Sequence, residues 1–398
     1  MKKILFAALA AATVALPSCS NDETVAVEKG AAIHFNVSSS RISRSSVVTE
    51  ANINKFHMWA NASNYTEGFF MNYDVTKQAD DSWYYGDLQF WPQTGNTVDF
   101  LAVYPADLAV AEHNTGTIAT VKGMLGDAKT NLFTIDYTVL DGSEDFAYAA
   151  NYAQQKQTTA VQLNFRHALS QIIFKAYNSN TAVLKEVKIK NVRVVNVANK
   201  GKFTWATAST NDKHQYNSGD MHTDTKIETE WAGGSWGTWA VNTEAEKVAY
   251  TNNFVASEVV LNAGNGASAE AAVVLTKTDD NTGGLLLLPQ TITPWNFTDS
   301  NSKTNGSYFA IECQIIDKNG IQLYPANKGE YAEVLIPVPT ITWKQGMRYT
   351  YIFNFGQGAG YTPGANPEPV LFGISVSVTV DEFQSAADQT IDMNQKKA

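Results

Sequence analysis

Cys19, Arg41 and Arg44 are the residues whose type and placement most directly suggest chemistry, and the chemistry is done to the chain rather than by it. Lys2 and Lys3 form a short basic start, Ile4 to Leu16 is apolar, and Leu16-Pro17-Ser18-Cys19 puts a cysteine where a signal peptide is cut. Residues 1–18 are therefore read as an export leader; their apolar run falls short of the ~20 residues that span a bilayer. A diacylated Cys19 would become the mature N-terminus and anchor the chain, at about 0.8 kcal/mol per buried CH₂. The alternative is an ordinary leader with a chance cysteine. Arg41 and Arg44 lie in Ser38-Ser39-Ser40-Arg41-Ile42-Ser43-Arg44-Ser45-Ser46, a flexible, Ser-rich stretch that offers an exposed scissile bond. On spacing alone the reading favoured is solvated loop charges.

Other candidates are weaker. Asp212, His214, Asp220, His222 and Asp224 combine carboxylates and imidazoles in a polar segment, but their spacing matches no known metal site, and a solvated loop is the simpler reading. Trp231, Trp236 and Trp239 stand on a Gly-rich stretch, where exposed rings could stack on sugars or plug gaps against a sandwich. His167, between Phe165 and Leu169, reads as a satisfied structural histidine. The chain has no Walker loop, H-E-x-x-H or dinucleotide fingerprint, so neither catalysis nor a cofactor is expected. Cys313 is the one other cysteine, which excludes a disulfide framework and a Cys-based zinc site. Without Lys2 and Lys3 the chain has 27 basic against 39 acidic residues, a field that repels nucleic acid.

These residues need a scaffold, and the periodicity says which. Ile33, Phe35 and Val37 alternate with polar neighbours; so do Val161, Leu163, Phe165, and Ile374, Val376, Val378 and Val380. The parity of buried positions switches near Ser170-Gln171, which suggests a bulge or bend. Asn319-Gly320 between Ile315-Ile316 and Ile321/Leu323 signals a hairpin. Such half-buried strands build antiparallel sandwiches, and the length suits two domains. The expected division is 19–160 and 161–398, with the break in the polar stretch Gln154 to Thr159. The segment from about Ala206 to Gly237 reads as loops.

Several segments also resemble one family. Trp91-Pro92 with Phe100-Leu101-Ala102-Val103-Tyr104-Pro105, Phe165-Arg166-His167-Ala168-Leu169-Ser170, Leu288-Pro289-Gln290, and Trp343-Lys344-Gln345-Gly346 with Tyr349 and Tyr351 are similar in order and spacing to the Bacteroidetes fimbrillin-like proteins of type V pili. Ser20-Asn21-Asp22-Glu23 resembles the acidic signal that carries lipoproteins of that phylum to the outer face of the outer membrane. The resemblance implies an all-β chain of two transthyretin-like Greek-key β-sandwich domains in tandem. It further implies a non-enzymatic pilin that travels as a lipoprotein, loses its first strand to an outer-surface protease, and accepts a donor strand from another pilin subunit.

The chain has candidates for each part. Ile33, Phe35 and Val37 would form the removable strand, or a permanent edge strand. Arg44, ahead of Arg41, would be the cut site. Ile374, Val376, Val378 and Val380 would be the donor, or a core strand of the second domain; after Phe383 the tail is short and polar. The implied partners are other pilin subunits, the outer membrane, the maturing protease and a host or bacterial surface ligand. The rival reading is a monomeric surface lipoprotein that binds glycans through the three tryptophans.

Overall fold

In the computed structural model the described residues are 32–39, 53–63, 71–109, 134–210, 236–241, 247–252, 254–277, 284–296, 306–356, 360–368, 370 and 374–382. They form strands almost throughout. In the first half these are β1 (Phe35–Ser39), β2 (Lys55–Ala62), β3 (Met71–Lys77), β4 (Trp83–Tyr84), β5 (Val98–Tyr104), β6 (Thr134–Thr138), β7 (Ala147–Gln154) and β8 (Val161–His167). There follow β9 (Ser170–Asn178), β10 (Leu184–Ala198), β11 (Lys200–Thr204), β12 (Thr238–Val241), β13 (Lys247–Thr251), β14 (Val259–Asn262), β15 (Val273–Val274) and β16 (Leu285–Leu287). The last are β17 (Thr291–Ile292), β18 (Tyr308–Asp317), β19 (Gln322–Tyr324), β20 (Ala332–Pro337), β21 (Ile341–Thr342), β22 (Met347–Phe355) and β23 (Ile374–Glu382). One short 3₁₀ turn, Ala106–Ala109, interrupts them.

The first unit is a seven-stranded sheet in the order β1-β8-β7-β5-β2-β3-β4. β2, β3 and β4 run as a meander and β5 returns beside β2, which is a Greek key. Period-two burial explains why these residues form strands: Phe56 and Met58 of β2, and Leu163 and Phe165 of β8, are closed from solvent in one apolar cluster with Ile33, Phe35 and Val37.

The second unit is a sandwich. One sheet runs β13-β10-β18-β19, with β14 on β10 and β20 on β18; the other runs β15-β9-β22-β23, with β16 on β9. Phe309 of the first sheet meets Phe174, Tyr351 and Phe353 of the second at 5.6, 4.7 and 5.3 Å between ring centroids. Cys313 is enclosed in the same core, and burial pushes its thiol well above the ordinary range. The chain is all-β, with two β-sandwich units in tandem.

Two features differ from the sequence expectation. Val161–His167 lies beyond the boundary expected at residue 160, yet it pairs with β1 and β7 and completes the first sheet. Sheet membership thus carries the first unit through His167, because the polar stretch before Val161 is only the connection from β7 to β8. The parity switch near Ser170-Gln171 then has a simple cause: β8 ends at His167, and β9 starts at Ser170 in a different sheet. A true bulge does occur in β10, whose register shifts between Ile189 and Asn191, so that Val187 and Ile189 share one parity of burial with Val192 and Val194 on the other. The Asn319-Gly320 hairpin forms, joining β18 to β19 with Gly320 at φ +80°.

The two units are tied by chain that crosses between them. β6, from the first half, pairs with β11 and shares a three-stranded sheet with β12. After β11 the chain returns to the first sheet, where buried Thr210 exchanges backbone and hydroxyl bonds with Ala150 and accepts the Asn164 amide. Trp59, Leu101 and Phe146 accordingly share one continuous apolar cluster with the second unit.

Candidate functional site

The groove under β1 is built from one sheet edge and one crossing segment. Phe35, Val37 and Ser39 pair in parallel with Val161, Leu163 and Phe165, and β1 has β8 as its single neighbour in the sheet. Just before β1, Val161 donates its N–H to the His34 carbonyl at 2.6 Å. Ahead of that, the backbone leans on residues 85–90: Ile33 N–H donates to the Gln89 carbonyl at 2.9 Å, and Ala32 bridges Phe90. The Tyr85 hydroxyl donates to the Ile33 carbonyl at 2.7 Å and accepts from Gln89 N–H at 3.3 Å. Burial raises the Tyr85 pKa, so the phenol stays protonated and remains a donor.

Below the backbone lie the side chains. Ile33, Phe35 and Val37 are 0, 6 and 4 % exposed, while His34 and Asn36 face solvent. Phe35 is held edge-on by Tyr85 and Phe100, at 5.5 and 5.7 Å. Each such side chain contributes roughly 1.5–3 kcal/mol through burial. Taking the strand away would uncover an apolar trench and a row of unpaired backbone groups on β8.

The other sequence candidates fall as follows. Residues 40–52, with Arg41 and Arg44, lie outside the described residues; they connect β1 at the sheet edge to β2, with β8, β7 and β5 between the two strands. Cys19, Trp231 and the Asp212–Asp224 cluster also lie outside the described residues. β23 is the terminal strand of its sheet, antiparallel to β22; Val376 and Val378 are half-buried on the core and Val380 is 37 % exposed. Among the described residues, no group of three or more His, Cys, Asp or Glu is placed to hold a metal ion, and no helix is long and apolar enough to cross a membrane.

Trp236 and Trp239 sit where the two units meet. Trp236 is 9 % exposed with the Arg166 guanidinium 4.6 Å above its ring. Trp239 packs against Tyr137, Phe146 and Phe203 and donates its indole N–H to the Ala168 carbonyl at 2.7 Å. Trp236 is closed into the seam, and Trp239 is half-buried against it. Gly237 between them donates to the Tyr148 hydroxyl, whose pKa burial pushes up to about 12. A Cβ at Gly237 would stand 2.2 Å from Phe203 Cζ, so close approach, not loop freedom, explains this glycine. Gly237→Ala is expected to cost about 1–3 kcal/mol by overpacking, read as a lower denaturation midpoint with an unchanged β-type circular dichroism spectrum.

Sequence reasoning missed the clamp from Tyr85 and Gln89. Their contacts to Ile33 span more than fifty residues of chain, and Trp83-Tyr84-Tyr85 has no alternation to mark it; the one available signal was the aromatic density before Trp91-Pro92.

A family model described as fimbrillin-like matches residues 40–379. The chain belongs to the fimbrillin-like family. Among solved structures, a fimbrial protein from Bacteroides vulgatus is 14 % identical, with 89 % of this chain and 99 % of that one covered and a TM-score of 0.53. A protein assigned provisionally to cell adhesion, from Bacteroides uniformis, is 12 % identical over 89 % of this chain and 100 % of its own, with a TM-score of 0.41. The first likeness is one of fold, the same tandem all-β architecture. Among curated proteins none matches. The fimbrillin-like match starts at residue 40, one position after β1 ends, and takes in all the later strands but the last three residues of β23.

Proposed function

We propose that this protein is a non-enzymatic fimbrial subunit of the cell surface that serves adhesion and joins its neighbours by donor-strand exchange. The precursor is exported on its leader, lipidated at Cys19 and held on the outer membrane. Cleavage at Arg44 or Arg41 then frees β1, and a strand from another subunit takes its place. The observation that carries this reading is the seat of β1: buried Phe35 and Val37 on a short edge strand with one strand partner among the described residues, buried Ile33 just ahead of it, and the arginine-bearing connection directly after it. Backbone pairing supplies the ladder of the joint, and alternate side chains supply its grip. The glycan reading has less support, since Trp236 and Trp239 lie in the seam.

Limited trypsin treatment of the purified full chain tests the proposal. The expected product is a ladder of species that resists mild detergent on a gel, absent when Arg41 and Arg44 are both changed to Ala. Clean cleavage between residues 41 and 45, with loss of β1 and no ladder at high protein concentration, would count against assembly by this route.

A further inference from the structure

The segment that crosses beside the start of β1 is apolar on both sides. Tyr85 and Trp91 are buried in the first unit's core, as a covering layer requires. Tyr84, Leu88 and Phe90, on the other parity, are 59, 58 and 41 % exposed. A strand with one buried face normally turns polar residues outward. Of the eight large apolar side chains exposed among the described residues, these three lie within seven positions of chain. Scattered singly such residues mean little, but clustered they mark a surface that something covers. The surroundings are also poor in charge: from Ser82 to Val98, Asp87 is the one formally charged residue.

We propose that Tyr84, Leu88 and Phe90 rest on the lipid surface to which Cys19 tethers the precursor. The inference rests on the lipidation reading above and gives the anchored chain a face toward the membrane. The occupant follows from where the described chain begins. Ala32 bridges Phe90, and Ile33 N–H donates to the Gln89 carbonyl, so the path back to Cys19 leaves from beside the strip. Between Cys19 and Ala32 the chain reaches at most ~45 Å when fully extended, which keeps this corner of the fold close to the bilayer. A tyrosine, with an apolar ring and a polar tip, suits the membrane–water interface. Leu88 and Phe90 add apolar area that lipid removes from water, and Asp87 alone has to keep its charge hydrated there. A lipid anchor by itself holds the body near the membrane without orienting it; the strip supplies the second contact and fixes which side faces down. That contact is small and reversible. Cutting at Arg44 or Arg41 removes the tether together with β1, and three side chains alone bind too weakly to keep the body on the surface.

Spin labelling of the full lipidated chain in phosphatidylcholine vesicles tests this. Cys313 is enclosed in the core and Cys19 carries the lipid, so a cysteine introduced at Leu88 takes the label alone. Ile321, 60 % exposed at the β18–β19 hairpin, provides the reference position. The Leu88→Cys label should lose collisions with a water-soluble nickel chelate and gain collisions with oxygen, which concentrates in the bilayer. The Ile321→Cys label should stay open to nickel. Adding Tyr84→Ser and Phe90→Ser should return nickel access at position 88 to the level of the reference. Equal nickel access at the two positions, in a chain that still pellets with the vesicles, overturns the proposal and leaves the anchor standing. Shielding from nickel and oxygen alike, with label–label coupling that fades when unlabelled chain is mixed in, means that a second copy covers the strip, and it overturns the proposal too. A chain with a free Cys19 thiol that stays in the supernatant brings down both readings.

Discussion

Phe35→Ala lowers the unfolding free energy of the intact chain by about 3–5 kcal/mol, the usual cost of deleting a buried ring. Phe35 is 6 % exposed, and its pocket has two rigid walls: Phe100 lies in the central strand β5, and Tyr85 is pinned through its hydroxyl to Ile33 and Gln89. Such walls cannot collapse inward to fill the void, which favours the upper end of that range. Asn36→Ala, one residue along on the solvent side, removes only an exposed 2.9 Å bond to Gln162 and should stay within about 0.5 kcal/mol. The pair of variants separates side-chain burial from any general weakening of the edge. Denaturant midpoints measured on the full chain give the comparison. In the cut chain the same Phe35→Ala change should speed escape of the β1 fragment by about two to three decades, since no covalent link then opposes dissociation. Equal midpoints for the two variants would mean that the ring does not fill the trench, and the assembly proposal would lose its physical basis.

How much of this was legible beforehand depended on whether the information was local. The inward set Ile33, Phe35 and Val37 and the parity of β8 and β10 could be read because a half-buried strand writes its burial into every second residue. The hairpin at Asn319-Gly320 was readable for the same reason: its turn chemistry is contained in two adjacent residues. Partnership was not readable. Nothing in Val161–His167 says that it pairs with β1, more than a hundred residues earlier, so the domain boundary was placed one strand too soon. The tryptophans show the same limit. Trp-Gly-Thr-Trp in a Gly-rich stretch is compatible with a displayed aromatic loop, and only the positions of Arg166, Phe203 and Ala168 reveal that Trp236 and Trp239 are caulking between two units. His167 could be assigned a structural role from its apolar neighbours, but its partner Asp145 lies on the approach to another strand and left no local trace.

That partner carries the second large effect. Asp145→Ala should destabilise the chain by about 3–5 kcal/mol, because it strips a buried imidazole of the carboxylate it bonds to. His167 Nδ1 and Asp145 Oδ2 are 2.7 Å apart, with side chains 3 and 0 % exposed, so water cannot readily replace the lost acceptor. The pair sits where β7 and β8 close together: Ala147 stands opposite His167, and Ala168 N–H donates to the Phe146 carbonyl at 2.8 Å. It also sits at the exit from the first sheet, next to Arg166 beneath Trp236, so its loss should loosen the seam as well as the strand pair. Asp145→Asn keeps an acceptor of nearly the same shape and should cost less than Asp145→Ala. A double-mutant cycle makes the argument quantitative. If the two side chains act as a unit, Asp145→Ala with His167→Ala should be less damaging than the sum of the single changes, with a coupling of about 1–3 kcal/mol. Strict additivity in denaturant titrations would show that each residue is held by other partners, and that the short contact between them contributes nothing of its own.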